Sequence, residues 1–293
     1  MNWIETKIEH NTSIDNKKCV VVIPVYKTNL KLFEEYSLKQ GVSVLGEKYE
    51  IVLVCPSDLD VSYYNKIAEY NFSVLRCNPE YFKSQKSYSD MCEEWQFYDA
   101  FSEYEFMVIY QLDAWIFEDR LDYFINLDYD YIGAIHLIGI AGKNREGECG
   151  NGGFCIRKIK PFIDVCKKTD LKSFHRLKLE DCVFTQDLKQ NFKLAPLDIC
   201  REFSFQEKPD LQFVKNGNKL PMGCHAWMKF GRYFWKKYIL PDKWDEMFVS
   251  PTKTADNIIT TIYGSNTVSI IRKIDSLKNK KVIRKFGKST THS

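Results

Sequence analysis

The sequence of 293 residues has no apolar run of the roughly 18 residues that a membrane span requires. Its ten cysteines include no Cys-x-x-Cys pair, and residues 1–18 are polar, with no apolar stretch of the kind that directs export. These absences predict reduced thiols and a cytoplasmic protein that would meet a membrane only from its surface. The length fits one large domain or two ordinary ones, and no internal repeat divides it.

A strong charge of one sign is also missing. The net charge is +3 at pH 7, so the composition predicts no nucleic-acid partner. The charge is unevenly distributed, because residues 252–293 carry nine Lys or Arg against Asp256 and Asp275, a net +7 that leaves −4 for the rest. Within this tail, residues 258–288 mix apolar and basic side chains. This pattern predicts a helix that docks on an anionic surface, here the inner face of the cell membrane. The alternatives are a solvated basic helix and a helix packed on the rest of the chain.

What the chain does contain is an alternation of apolar runs and helical periodicity. Continuous aliphatic runs predict buried strands, and apolar residues at helical spacing predict helices. The predicted strands are 19–25, 50–55, 72–77, 108–117, 129–135, 154–157 and 193–197, and the predicted helices are 29–45, 62–70, 87–101, 160–168 and 181–190. The alternation predicts a doubly wound α/β fold.

Asp113 is the single acid in the apolar stretch 108–117. A charge in such a stretch is costly unless it is paired or binds a metal. Ligands of open α/β sheets bind just outside the carboxyl ends of the strands. Asp113 is therefore a candidate site residue, although a buried Asp that caps the next turn is an equal alternative.

Four groups of short sequence motifs follow one another along the chain: Val-Ile-Pro-Val-Tyr (22–26); Gln-Leu-Asp-Ala (111–114); Gly-Asn-Gly-Gly-Phe (150–154) with Glu-Asp (180–181); and Gly-Cys-His-Ala-Trp (223–227). Their order resembles a group of bacterial glycosyltransferase-like proteins with the GT-A fold, over roughly residues 18–235. The resemblance implies a Rossmann-like, mixed and mainly parallel sheet flanked by helices. It assigns residues 1–240 to a catalytic domain, with a nucleotide-binding half at about 18–117 and an acceptor half at about 118–240. For residues 241–293, which lie outside the resemblance, the sequence predicts a basic helical extension.

The activity implied is the transfer of a hexose from a nucleotide-sugar donor, which we expect to be UDP-linked, to a surface-glycan or lipid-linked glycan acceptor in polysaccharide biosynthesis. By resemblance, the donor-binding residues are Pro24, Val25, Tyr26, Asp58, Ser84, Tyr88, Gln111 and Asp113, and the acceptor-binding residues are Asn151, Gly152, Gly153 and Trp227. For Asp58, a turn-forming role after a strand is just as consistent with the sequence. Glycines in tandem demand close approach or a positive φ, and an ordinary tight turn is the alternative for Asn151–Gly153.

The two acidic residues Glu180 and Asp181 are the predicted catalytic residues. An inverting transferase needs one carboxylate to take the proton from the attacking acceptor hydroxyl. By resemblance Asp181 is this base and Glu180 holds the acceptor. Because both lie at a predicted helix start, helix capping is the alternative.

GT-A enzymes carry an Asp-x-Asp motif that holds a divalent cation. Asp113 matches the first Asp, and Trp115 stands at the second. The resemblance implies Mn²⁺ or Mg²⁺ bound by Asp113 and His225, although one carboxylate is a thin site for these ions, and His225 could instead be a core histidine. Without a metal, one of the cations Lys83, Lys86 and Arg157 would have to stabilise the negative charge of the leaving diphosphate.

Two other function classes remain open. A nucleotidyltransferase shares the nucleotide-binding half-fold, but it should have a glycine-rich segment after the first strand, and residues 25–29 contain no glycine. A degenerate nucleotide-sugar-binding scaffold protein is favoured by Trp115 and disfavoured by the presence of Asp181 and His225.

Overall fold

The computed structural model describes residues 7–136, 148–174 and 179–248. Contacts group the chain into two units, Met1–Trp235 and Lys236–Ser293. In the second unit, the described residues form two short 3-10 turns, Pro241–Lys243 and Glu246–Phe248. The predicted basic helix and its membrane contact at 258–288 lie outside the described residues.

The strands form where the apolar runs are fully buried. They are β1 (Cys19–Pro24), β2 (Glu50–Pro56), β3 (Ser73–Cys77), β4 (Phe106–Tyr110), β5 (Ala114–Ile116), β6 (Tyr131–Gly133), β7 (Ile135–His136), β8 (Glu148–Cys149), β9 (Phe154–Lys158), β10 (Ser204–Phe205) and β11 (Gly223–His225). Residues Val20–Ile23 of β1 are at most 1% exposed, which explains why they show no polar alternation.

The main sheet has the order β3-β2-β1-β4-β9-β6. β3, β2, β1 and β4 are parallel, and β9 runs antiparallel to both β4 and β6. A second sheet has the order β10-β11-β5, and β7 pairs with β8. The chain therefore has the mixed, mainly parallel α/β sheet of the GT-A fold, as predicted.

Helices cover the main sheet. They are α1 (Leu32–Leu45), α2 (Ser62–Ala68), α3 (Gln85–Cys92), α4 (Trp95–Asp99), α5 (Leu121–Asn126), α6 (Ile159–Lys168), α7 (Glu180–Cys182), α8 (Leu197–Phe203), α9 (Pro209–Lys215) and α10 (Arg232–Trp235). In α1, the buried residues Phe33, Ser37, Leu38, Gly41 and Leu45 recur at helical spacing and face the core. No helix within the described ranges is long and apolar enough to cross a bilayer.

The prediction of one strand over 108–117 was wrong. β4 ends at Tyr110, and the Ala114 N–H donates to the Gln111 carbonyl oxygen at 2.8 Å, which closes a tight turn that contains Asp113. β5 then leaves the main sheet and pairs antiparallel with β11. An apolar run shows that a segment is buried, but it does not show where the segment changes sheets.

Three other predictions need correction. The helix predicted over 87–101 is broken at Glu94, whose ψ of 128° is extended, so α3 and α4 are separate. The helix predicted over 181–190 is α7 continued by a π-helical turn at Val183–Asp187 and a 3-10 turn at Lys189–Asn191. The strand predicted over 193–197 contributes only a single bridge, Leu194 to Tyr131, because Pro196 caps helix α8 directly afterwards.

Candidate functional site

A cleft of about 460 Å³ lies beyond the carboxyl ends of β1 and β4. Its walls come from the loop after β1, the start of α1, the start of α3 and the turn after β4. The lining residues are Pro24, Val25, Tyr26, Lys27, Leu30, Phe33, Glu34, Tyr64, Phe82, Lys83, Ser84, Gln85, Tyr88, Gln111, Leu112 and Asp113. The size is within the range of small-molecule sites, and the position is where open α/β sheets bind ligands.

Asp113 and His225 meet at one end of this cleft. The register of β5 and β11 pairs Ala114 with His225, and the Asp113 Oδ1 atom lies 3.0 Å from the His225 Nε2 atom. The other ring nitrogen, Nδ1, lies 2.7 Å from the Gln206 Oε1 atom, and Nε2 is also 3.3 Å from the Gln111 Oε1 atom. With Gln206 accepting from Nδ1–H, the Nε2 atom of a neutral ring presents its lone pair to Asp113, so a proton or a cation must stand between the two groups.

The charge of Asp113 is stabilised by this neighbour. Burial opposes ionisation of the carboxyl, but His225, a backbone hydrogen bond and Lys229 together lower the pKa of Asp113 below its ordinary value. The Asp113 side chain keeps 41% of its surface exposed, while His225 keeps 11%. Asp113 is therefore an ionised group at the edge of the cleft, and it pairs with the buried imidazole of His225.

The Asn151–Gly153 loop is shaped by close approach. Neither Gly152 nor Gly153 has a positive φ. A Cβ atom on Gly152 would lie 3.0 Å from the Arg157 Nη2 atom and from the Glu180 Oε1 atom, and a methyl group on Gly153 would overlap the His225 ring. The two adjacent glycines thus make room for two groups of polar side chains, one on each side of the loop.

Glu180 and Asp181 occupy the other side of this loop. Glu180 is 5% exposed, and its Oε1 atom pairs with the Arg157 Nη2 atom at 3.1 Å. The Asp181 Oδ2 atom accepts from the Gly152 N–H at 3.2 Å, and its Oδ1 atom accepts from the Cys182 N–H at 2.7 Å. The two groups of polar side chains therefore contact adjacent glycines of the same loop, and Glu180 and Asp181 are buried outside the lining of the cleft.

Glu180 is the residue whose ionisation the site opposes. Burial and the charge of Asp181 raise the pKa of Glu180, while Arg157 and Ser89 oppose this rise. The chain turns π-helical directly after Cys182, and such turns are frequent at functional sites.

The structure brings most of the predicted residues together. Of the eight predicted donor-binding residues, the cleft is lined by Pro24, Val25, Tyr26, Ser84, Tyr88, Gln111 and Asp113. Asp58 is exposed after β2 and does not line the cleft. Trp227 has no exposed surface and packs edge-on against Trp115 and Phe33, so the structure gives it a packing role beneath the cleft.

The cations suggested as partners of a leaving diphosphate have different environments. Lys83 lines the cleft and pairs with Glu80. Lys86 pairs with Asp90, four residues along α3. Arg157 has no exposed surface, pairs with Glu180 and does not line the cleft.

Sequence reasoning missed Gln206, which orients His225, and the cleft residues Lys27 and Glu34, whose Nζ and Oε1 atoms pair at 2.6 Å. It also missed His136, which lies beside Asp181 and Cys182. Gln206 and His136 had no motif around them. Lys27 and Glu34 lie within eight residues of the predicted Tyr26, so their proximity along the chain was the available signal.

No curated protein matches the chain. Among solved structures, the chain is similar to the bifunctional glycosyltransferase WbbM, with a TM-score of 0.51 and 12% identity over 81% of this chain and 50% of that one. It is also similar to the glycosyltransferase GlyE from Streptococcus pneumoniae TIGR4, with a TM-score of 0.47 and 16% identity over 79% of this chain and 62% of that one. The chain thus spans half of WbbM and about three-fifths of GlyE. At this identity, the similarity to WbbM shows a shared fold.

A family model matches residues 71–225, which are more than half of the 293 residues. The matched segment runs from the start of β3 to the end of β11 and includes Asp113, the Asn151–Gly153 loop, Asp181 and His225. The chain therefore belongs to the family described as "Protein of unknown function (DUF5672)".

Proposed function

We propose that this protein is a glycosyltransferase that moves a sugar from a nucleotide-sugar donor, UDP-linked, to a surface-glycan or lipid-linked glycan acceptor, with inversion at the anomeric carbon. One observation carries the proposal. The Asn151–Gly153 loop has the Asp113–His225 pair against one of its glycines and the Asp181 carboxylate against the other. A site for positive charge beside the leaving diphosphate and a carboxylate base beside the acceptor hydroxyl are what this reaction requires.

The cleft supports the donor half of the proposal. Tyr26 is 59% exposed at the cleft, which gives a nucleobase an aromatic face to stack on. Lys27 and Lys83 lie in the cleft walls, each paired with a carboxylate, and could exchange that partner for a phosphate oxygen. In this proposal the nucleotide-binding half is about 18–117, and the acceptor half, about 118–240, holds the base.

The Asp113–His225 pair fits a divalent cation, Mn²⁺ or Mg²⁺. Adjacent ligands of an octahedral ion at about 2.1 Å are about 3 Å apart, which is the 3.0 Å between Asp113 Oδ1 and His225 Nε2. Gln206 holds the imidazole in the orientation and tautomer that a metal ligand needs. Such an ion would supply the positive charge that stabilises a leaving diphosphate. Trp115, at the second position of the motif, is buried in β5 and offers no ligand, so diphosphate and water oxygens would complete the shell.

Asp181 is the proposed general base. Two backbone N–H groups hold its carboxylate in a fixed orientation, and its neighbour Glu180 is held by Arg157. In the reaction, an Asp181 oxygen takes the proton of the acceptor hydroxyl while the hydroxyl oxygen attacks the anomeric carbon, and the bond from this carbon to the leaving nucleoside diphosphate breaks. Glu180 orients the acceptor by accepting a hydrogen bond from an acceptor hydroxyl at its other carboxylate oxygen.

The experiment is a thermal-shift panel of nucleoside diphosphates and nucleotide sugars, with and without Mn²⁺, followed by a transfer assay with the best donor. A ligand that binds the native state raises the melting temperature by mass action. We expect UDP or a UDP-sugar to give the largest shift, and we expect Mn²⁺ to increase it. Asp113→Asn should fold, lose the Mn²⁺-dependent part of the shift and lose most transfer.

The base is tested in the same assay with Asp181→Asn. This variant should keep the donor-induced shift and lose about 10²–10⁴-fold in transfer rate. Equal losses of donor binding and transfer would assign Asp181 a structural role. A product with retained anomeric configuration would remove the need for a base.

A nucleotide-sugar-binding scaffold is the second candidate, because Trp115 leaves the cation with few protein ligands. It predicts a donor-induced thermal shift without sugar transfer or donor hydrolysis. The panel and the transfer assay together distinguish this outcome from the enzyme.

A further inference from the structure

Asp181 also belongs to a second cluster of metal-ligating side chains. It consists of His136 at the end of β7 and Asp181 and Cys182 in α7, and one potential ligand atom from each lies within 4.8 Å of the others. All three residues are buried, at 5%, 8% and 1% exposure. The Asp113–His225 pair shares no residue with this cluster.

The His136 ring supplies an independent observation. Its Nε2 atom is buried and has no hydrogen-bond partner within the part of the chain that the structure describes. A buried ring nitrogen without a partner is costly, and native proteins usually satisfy it with a partner group, a water or an ion. Gly150 leaves the space for this ring, since a Cβ atom there would lie 3.1 Å from the His136 Cδ2 atom.

The donor set selects the kind of ion. A thiolate, an imidazole and a carboxylate suit zinc and similar transition metals, whereas Mg²⁺ and Mn²⁺ prefer shells of oxygen. The charges also balance, because a thiolate and a carboxylate together neutralise a divalent ion, as a buried site requires. A tetrahedral zinc holds its ligand atoms about 3.5 Å apart, so the side chains need to move by only about 1 Å to close on it.

We propose that His136, Asp181 and Cys182 form a three-ligand site for a divalent transition metal, Zn²⁺ in the first instance, distinct from the Asp113–His225 cation site. The binding itself does not depend on the activity proposed above. One consequence does rest on that activity: a zinc ion on the Asp181 carboxylate would occupy the oxygen that takes the acceptor proton, so zinc would inhibit transfer.

The test uses the full-length protein, stripped with a chelator, dialysed and titrated with Co²⁺ and then with Zn²⁺. Co²⁺ reports a thiolate ligand by a charge-transfer band and a tetrahedral site by intense d–d bands. We expect one equivalent of Co²⁺ to produce both signatures and one equivalent of Zn²⁺ to abolish them. C182S should lose the charge-transfer band, and H136Q should bind Zn²⁺ at least about 100-fold more weakly, since even outer-shell changes cost 10–100-fold.

Two controls separate this site from the rest of the chain. C166S removes another buried thiol, in α6, and H225Q removes the other proposed metal ligand; both should keep the Co²⁺ spectrum. Wild-type protein that gives no thiolate band overturns the proposal without recourse to any variant, and so does a folded C182S that keeps the band. Failure here leaves the transferase proposal intact, because that proposal is tested with Mn²⁺ and a nucleotide sugar. Where transfer is observed, zinc should inhibit the wild type and spare H136Q.

Discussion

Arg157→Met should destabilise the protein severely, and Glu180→Gln in the same chain should restore much of the loss. Arg157 is fully buried, and its Nη1 and Nη2 atoms contact the Tyr98 hydroxyl at 2.8 Å and the Glu180 carboxylate at 3.1 Å. Methionine replaces the aliphatic part of arginine and leaves Glu180 as a buried charge without its cation. A neutral glutamine at 180 removes that charge again.

The magnitude follows from the burial of both partners. Removing one member of a buried ion pair costs about 3–5 kcal/mol, because the remaining charge is uncompensated. At about 2–4 °C of melting temperature per kcal/mol, the single variant should melt about 6–20 °C lower than the wild type. The penalty should depend on pH. Without Arg157 the pKa of Glu180 rises further, so the folded state of the single variant holds a proton that the unfolded chain releases. Its stability should therefore fall as pH rises above the ordinary glutamate pKa of about 4.3.

Urea unfolding of the wild type, R157M, E180Q and the double variant at several pH values gives the coupling energy directly. We expect the double variant to lose clearly less than the two single variants combined, and its stability should not fall with pH in the way that R157M does. Strict additivity, or an R157M that unfolds within about 1 kcal/mol of the wild type, would refute the claim that Arg157 is the structural counter-ion of Glu180.

Three further outcomes are expected. Gly153→Ala should displace the His225 ring, cost about 1–3 kcal/mol of stability by overpacking and abolish the Mn²⁺-dependent donor shift; an unchanged shift in calorimetry would contradict the proposed cation site. Burial raises the pKa of Glu93 from 4.5 to about 7, so the folded state retains a proton that the unfolded chain loses, and stability should fall as pH rises across that interval. Glu93→Gln should make this slope shallower in thermal scans, and an unchanged slope would assign it to another group such as Glu180. Full-length protein should sediment with anionic vesicles at low salt and be released at high salt, whereas a chain without residues 258–288 should not sediment; equal behaviour of the two would exclude the tail as a membrane contact.

The fold was largely predictable, because burial on both faces makes parallel strands continuous apolar runs. β1, β2 and β9 begin where the sequence predicted them, and the order of strands and helices indicated the sheet. Sheet changes were not predictable. Tyr131–His136 has the composition of one strand, yet Ala134 interrupts it and its two parts join different sheets. Partner choice is a long-range property that local composition does not encode.

The place of the candidate residues in the fold was predictable where polar residues interrupt apolar runs, as at Asp113, and where glycines stand in tandem, as at Gly152 and Gly153. It was not predictable where a long-range partner decides a residue's role. Arg157 in β9 has the local sequence of an ordinary strand residue, and only its approach to Glu180 makes it a buried counter-ion. Gln206 is likewise recognisable only through its hydrogen bond to His225.

The Asn151–Gly153 loop is hydrogen-bonded both to the turn of the proposed cation site and to the proposed base. The Gly153 carbonyl oxygen accepts a hydrogen bond from the Gln111 N–H at 2.9 Å, and Gln111 begins the turn that contains Asp113. The Gly152 N–H of the same loop donates a hydrogen bond to the carboxylate of Asp181, the proposed base. A backbone shift that opens the cation site must therefore also move the partner of the base. We expect that a donor bound at Asp113 and His225 fixes the orientation of Asp181, which makes acceptor binding stronger after donor binding than before it. Acceptor titrations with and without a bound nucleoside diphosphate measure this coupling, and equal affinities would show that the loop moves as two independent parts.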